Sequence, residues 1–131
     1  MTKFESIISI AQPLDKVYGF LSDLNNHQQL MPENIYNWSS TTDEAKFTIQ
    51  NMAKLALKVN ARIENAEILI TPSEEAPFAL EMKWLVAADG AGTTAKLIVS
   101  AELNMMMKML ASGPLQKLVD HQTTALAKAL A

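Results

Sequence analysis

The stretch from Lys54 to Glu64 leaves the backbone little choice. Leu55, Leu57, Val59, Ala61 and Ile63 fall on one side of an extended chain, while Lys54, Lys58, Asn60, Arg62 and Glu64 dominate the other. A period of two, with one apolar and one wet face, marks an antiparallel strand covered on a single side. The same alternation returns around it. Lys3 to Ala11 places Phe4, Ser6, Ile8 and Ile10 on one face; Phe78 to Ala87 does so with Phe78, Leu80, Met82, Trp84 and Val86. Thr93 to Leu103 answers with Ala95, Leu97, Val99, Ala101 and Leu103, and Asp89-Gly90-Ala91-Gly92 is a strong hairpin turn between the two. Ile35 to Ser40, Ala45 to Gln50 and Ala66 to Thr71 complete seven predicted strands. A sheet with one apolar face has to bury it against another layer.

The cover must come from the ends of the chain. Pro13 stands where a first helical residue has no use for its N–H, and Asp15 suits the dipole of a first turn. Val17, Phe20, Leu21 and Leu24 follow at helical spacing, Asn25-Asn26 interrupts, and His27 to Leu30 adds one turn before Pro32. These helices are too short to span a sheet. Met105 to Ala111 begins a longer one, in which Ser112-Gly113-Pro114 predicts a break or kink. Leu115, Leu118, Val119, Gln122, Leu126 and Leu130 then form an amphipathic stripe. Only this terminal helix is long enough to lie across the sheet. The expectation is an α+β fold, one domain over residues 1–131, a length that supports a single core.

The order of elements and the local wording resemble the SRPBCC superfamily, the START-like, Bet v 1-like and polyketide cyclase-like helix-grip proteins. The resemblance is carried by Ile8-Ser-Ile-Ala-Gln-Pro-Leu-Asp-Lys-Val-Tyr-Gly-Phe-Leu-Ser-Asp-Leu-Asn-Asn, by Leu30-Met31-Pro32, and by the helix after Gly113-Pro114. Tyr18 stands where a tryptophan is usual, and Gln12 interrupts the usual alanine-proline pair. The resemblance implies a curved seven-stranded sheet gripping the C-terminal helix, with a cavity between them. It also implies the lining of that cavity: Trp38, Phe47, Leu57, Met82, Trp84, Leu97, Met107, Leu110 and Leu118. Such a fold hosts carriers, cyclases and interaction modules alike, so function has to be argued from the residues.

Several chemistries are excluded by what the chain lacks. There is no cysteine, hence no disulfide, thiolate metal site or cysteine nucleophile. With 11 basic against 14 acidic residues, and Arg62 the only arginine, no basic stripe exists to bind nucleic acid. No apolar run approaches a membrane span and the N-terminus has no apolar leader, so the expected location is the cytoplasm. His27 lies in the polar run Asn-Asn-His-Gln-Gln and reads as a solvated loop residue; His121 sits on the flank of the terminal helix. No nucleophile elbow, paired histidines or carboxylate–histidine cluster accompanies them, so no catalytic or metal site is assigned. Glu64, Glu81 and Glu102 fall on outward strand faces, and Asp43-Glu44 and Glu74-Glu75 in loops. Gly90-Ala91-Gly92 opens no helix and cannot cradle a phosphate.

The least ordinary feature is Met105-Met106-Met107-Lys108-Met109, which holds four of eight methionines. Flexible thioethers suit irregular apolar ligands and surfaces that re-pack. The preferred expectation is binding of a small, mostly apolar molecule (lipid-like, isoprenoid or aromatic) between sheet and helix, with no cofactor. One alternative is a cyclase or dehydratase using His27, His121, Tyr18 or Tyr36 as acid–base groups. Another is a protein-interaction module with a filled interior and exposed methionines, which would make a homodimer contact.

Overall fold

The computed structural model describes residues 1–76 and 78–131. The seven strands are β1 (Thr2–Ile10), β2 (Ile35–Ser40), β3 (Glu44–Ile49), β4 (Ala53–Ile63), β5 (Glu67–Pro72), β6 (Leu80–Asp89) and β7 (Gly92–Ala101). Between β1 and β2 lie α1 (Leu14–Ser22) and a 3-10 helix (Leu24–Leu30); α2 (Met105–Ala129) closes the chain. The strands form one antiparallel sheet in the order β1-β7-β6-β5-β4-β3-β2, curled into a half-barrel. β2 to β7 are therefore a meander, and β1 completes the far edge by pairing with β7. The two edge strands are adjacent in sequence, so the short helices must cross the mouth of the half-barrel to connect them.

Asparagine and glycine make the turns. Asn51 and Asn65, at φ 63° and 56°, take the left-handed positions after β3 and β4, and Gly90 at 61° takes the one after β6. Gly92 is required for a different reason: a Cβ there would sit 2.6 Å from the backbone oxygen of Ile10. The core lies on the concave face, with Ile68, Trp84 and Leu97 in register across β5, β6 and β7 and wholly buried. Leu21 and Val17 from α1, and Val119 and Leu126 from α2, close over it.

α2 is fastened along β1. The Ser6 and Thr123 hydroxyls lie 2.7 Å apart, and the Gln116 and Gln12 amides donate to the carbonyls of Glu5 and Leu130. The helix is not broken at Ser112-Gly113-Pro114, and α2 continues through Pro114 from Met105 to Ala129. Pro114 has no N–H to give the Leu110 carbonyl, and Leu110 lies on the exposed side of the helix. Ala111, Leu115 and Val119, buried on either side of the proline at four-residue spacing, keep both segments packed against the core.

Candidate functional site

The interior between sheet and α2 is almost full. Among the described residues, two small voids lie in it. One, of about 10 Å³, is walled by Leu24, His27, Trp38, Ala45, Leu57 and Ile70. The other, of about 20 Å³, lies deeper, against Leu115, Leu118 and Gln122 of α2 and Phe78, Leu80 and Val99 of the sheet. Met31, Phe47 and Met82 wall both voids and are the side chains that part them. Voids of this size hold about one water each. Outside α2, an open groove of about 410 Å³ runs between Pro32 and Asn34 on one bank and Gly113, Pro114, Lys117 and His121 on the other. Leu118 belongs to both the groove and the deeper void. It is the wall between inside and outside.

Of the residues expected to line a cavity, Trp38, Phe47, Leu57, Met82 and Leu118 do face these voids. Trp38 and Phe47 stack with ring centres 5.3 Å apart, and the indole N–H donates to Ser40, whose hydroxyl donates to Asn25. That chain ties β2 to the 3-10 helix. Trp84 and Leu97 are core residues that reach neither void, and Met107 is half-buried against the core. Leu110 is corrected: it is 72 % exposed, because Ala111 and Leu115 take the buried side of the helix and turn it outward. Met105, Met106 and Met109 are exposed with it.

His27 is the second correction. The residue expected in a solvated loop is buried, and its Nε2–H donates to the Leu21 carbonyl at 2.8 Å. A 3-10 helix repeats every three residues, so Leu24, His27 and Leu30 form one buried stripe amid polar neighbours. The signal was the i, i+3, i+6 spacing of the three, masked by the asparagines and glutamines between them. Burial pushes the His27 pKa below its ordinary value, against smaller upward pulls from the Leu21 carbonyl and Asp23. The ring is therefore neutral at pH 7.

This gives a stability prediction. The unfolded chain takes up a proton near pH 6.5 and the folded chain only at lower pH, so the fold is favoured fully above that value. Denaturant unfolding should show stability falling as pH drops from 6.5, by up to about 1.4 kcal/mol per pH unit from this group. In His27→Gln that part of the slope should vanish, whatever the overall level. An unchanged slope would mean that His27 is accessible to protons in the native state.

The other candidate acid–base groups do not converge. Tyr36 and His121 are exposed, Tyr18 is half-buried against the core, and the His27 Nε2 is committed to a backbone carbonyl. The sole arginine is also spent: Arg62 donates to the Ser22 carbonyl at 2.7 Å and pairs with Asp43 at 2.8 Å, which caps α1. Among the described residues no three histidine, aspartate or glutamate side chains are grouped to hold a metal ion, and no helix is long and apolar enough to cross a membrane.

What sequence reasoning missed is Gln122. In the sequence it is one position of an amphipathic stripe among leucines and a valine. The side chain is wholly buried, lines the deeper void, and has no hydrogen-bond partner on either Nε2 or Oε1. A glutamine inside an otherwise apolar stripe was the available signal.

No family model and no curated protein matches the chain. Solved structures do. The chain is similar to the KanY protein at 14% identity and a TM-score of 0.82, over 98% of this chain and 97% of that one. A START superfamily protein from Mycobacterium smegmatis is similar at 17% identity and 0.70, over 98% and 96%. The Aha1 dimer from Colwellia psychrerythraea is similar at 16% and 0.68, over 99% and 96%. Likeness at these identities is likeness of fold. The chain has the helix-grip fold expected from its sequence, a curled seven-stranded antiparallel sheet against a long C-terminal helix.

Proposed function

We propose that this chain binds a small, mostly apolar molecule (lipid-like, isoprenoid or aromatic) between the sheet and α2, without covalent chemistry. The observation that carries this reading is the pair of voids that share Met31, Phe47 and Met82 as walls. Two of these three dividers are methionines, whose unbranched side chains re-pack more freely than leucine or valine. Sites for drug-sized ligands measure about 300–1,000 Å³, so the occupied state is an expanded one that the ligand selects. The groove outside α2 supplies the approach, with Leu118 as the side chain to displace.

A thermal-shift screen tests the reading. A ligand that binds only the folded chain adds about 2.7 kcal/mol at a hundredfold excess over Kd. Neutral apolar molecules should therefore raise the melting temperature, while nucleotides and sugar phosphates should not. No Arg or Lys lines either void to offset a buried phosphate. A phosphorylated metabolite as the one strong hit would overturn the proposal.

A second reading rests on a separate surface. Met105, Met106, Met109 and Leu110 are each more than two-thirds exposed, and i, i+4 spacing joins them into one patch on the overhanging turns of α2. We infer that this patch meets a second copy of the chain. A two-fold contact pairs the patch with itself, and Lys108 is its only charged neighbour within Met105–Leu110. Sedimentation should detect a dimer that Leu110→Glu converts to a folded monomer. A wild-type monomer at every concentration would contradict it.

A further inference from the structure

The deeper void contains a chemical mismatch. All of its lining side chains are apolar except Gln122, and both ends of that buried amide are unpartnered. An amide in such a place costs stability unless something pairs with it. A single water is a poor solution. The void of about 20 Å³ has room for one, but such a water needs two to four polar partners and Gln122 is the only side chain offering any. The carbonyls and N–H groups of the flanking strands β6 and β7 are engaged with each other across the sheet.

We propose that Gln122 is the polar anchor of the interior site, and that the ligand is uncharged, otherwise apolar, and presents a donor and an acceptor side by side. This rests on the interior-binding reading above. A primary amide offers N–H and C=O in one plane, so its complement carries the mirrored pair: a lactam, a carboxamide or an undissociated carboxylic acid. An ionised carboxylate fits badly. It would face the Gln122 oxygen with no donor to spare, and no cationic side chain lines the void. A plain hydrocarbon fits the walls but leaves the amide unpaired. Position reinforces the assignment, because Gln122 shares the void with Leu118, the residue that also borders the outer groove. A molecule entering past Leu118 meets the amide one helical turn further along α2.

The test compares three ring systems of nearly equal size on the intact protein: 2-quinolinone, which carries a lactam; N-methyl-2-quinolinone, which lacks the donor; and naphthalene, which lacks both groups. Affinities are measured by calorimetry for wild type, Gln122→Leu and Gln122→Met. Wild type should bind 2-quinolinone at least about tenfold more tightly than either of the others, since a buried polar group rejects an analogue that cannot pair with it. In the two variants the preference should disappear or reverse, with naphthalene binding retained. Two substitutions of different shape guard against a packing failure in one of them. If wild type binds naphthalene and 2-quinolinone equally, or if the variants keep the lactam preference, the anchor is wrong while the interior site stands. If no compound binds any of the three proteins, the interior site itself is wrong and the anchor falls with it.

Discussion

Met82→Ala is expected to lower the unfolding free energy by about 2–5 kcal/mol and, at the same time, to tighten the interior's binding of naphthalene over wild type. Met82 projects from β6 between Ile70 and Val99 of the neighbouring strands, and it walls both voids. Removing it joins them. The transfer free energy of the lost thioether accounts for part of the cost, and the unfilled space for the rest. The joined space is walled mostly by apolar side chains, which accept apolar guests. Denaturant unfolding with and without naphthalene should therefore show a loss that the ligand partly restores. A loss under about 1 kcal/mol, with no response to naphthalene, would mean that Met82 does not divide a common space.

Trp84→Ala should cost about 3–5 kcal/mol, which is a large share of the 5–15 kcal/mol available to a domain. Trp84 is wholly buried on a central strand, opposite Ile68 on one side and Leu97 on the other. Its indole N–H has no partner, so the residue is held by area and shape rather than by a hydrogen bond. Trp84→Phe keeps most of that area and removes the orphaned donor, and should cost distinctly less. Trp38→Ala, at a half-buried site near the rim, should fall between surface and core. Equal costs for Trp84→Ala and Trp38→Ala, read from urea midpoints, would contradict the placement of the core.

The sheet was legible because alternation is a local signal. Leu55 to Val59 and Leu80 to Val86 state their own faces, and a single long helix leaves one way to cover them. Ile63, expected on the covered face, is 55 % exposed, beyond a register shift between Val59 and Ala61. The helical turn at His27 to Leu30 was legible, but its buried stripe was not, since Leu24, His27 and Leu30 are separated by Asn25, Asn26, Gln28 and Gln29. Those four polar residues outvote a three-residue period in any reading based on composition. Pro114 misled for the opposite reason. Its local rule is sound, but Ala111 and Leu115 are buried on both sides of it, and tertiary packing keeps the helix continuous. Leu110, placed in the cavity lining by the resemblance, is turned outward because Ala111 and Leu115 take the buried side of the helix. The size of the interior space could not be read from the chain at all. It depends on how Met31, Phe47 and Met82 fill a volume set by the curl of the sheet.

The central claim is that an apolar molecule enters the space between the sheet and α2. The methionine methyl groups report on it directly, because Met31 and Met82 wall the voids while Met105, Met106 and Met109 lie on the surface. Titrating 2-quinolinone or naphthalene into methyl-labelled protein should shift the carbon–proton signals of Met31 and Met82 and leave the three surface methyls in place. Shifts confined to Met105, Met106 and Met109 would put the ligand on the helix surface and contradict the account.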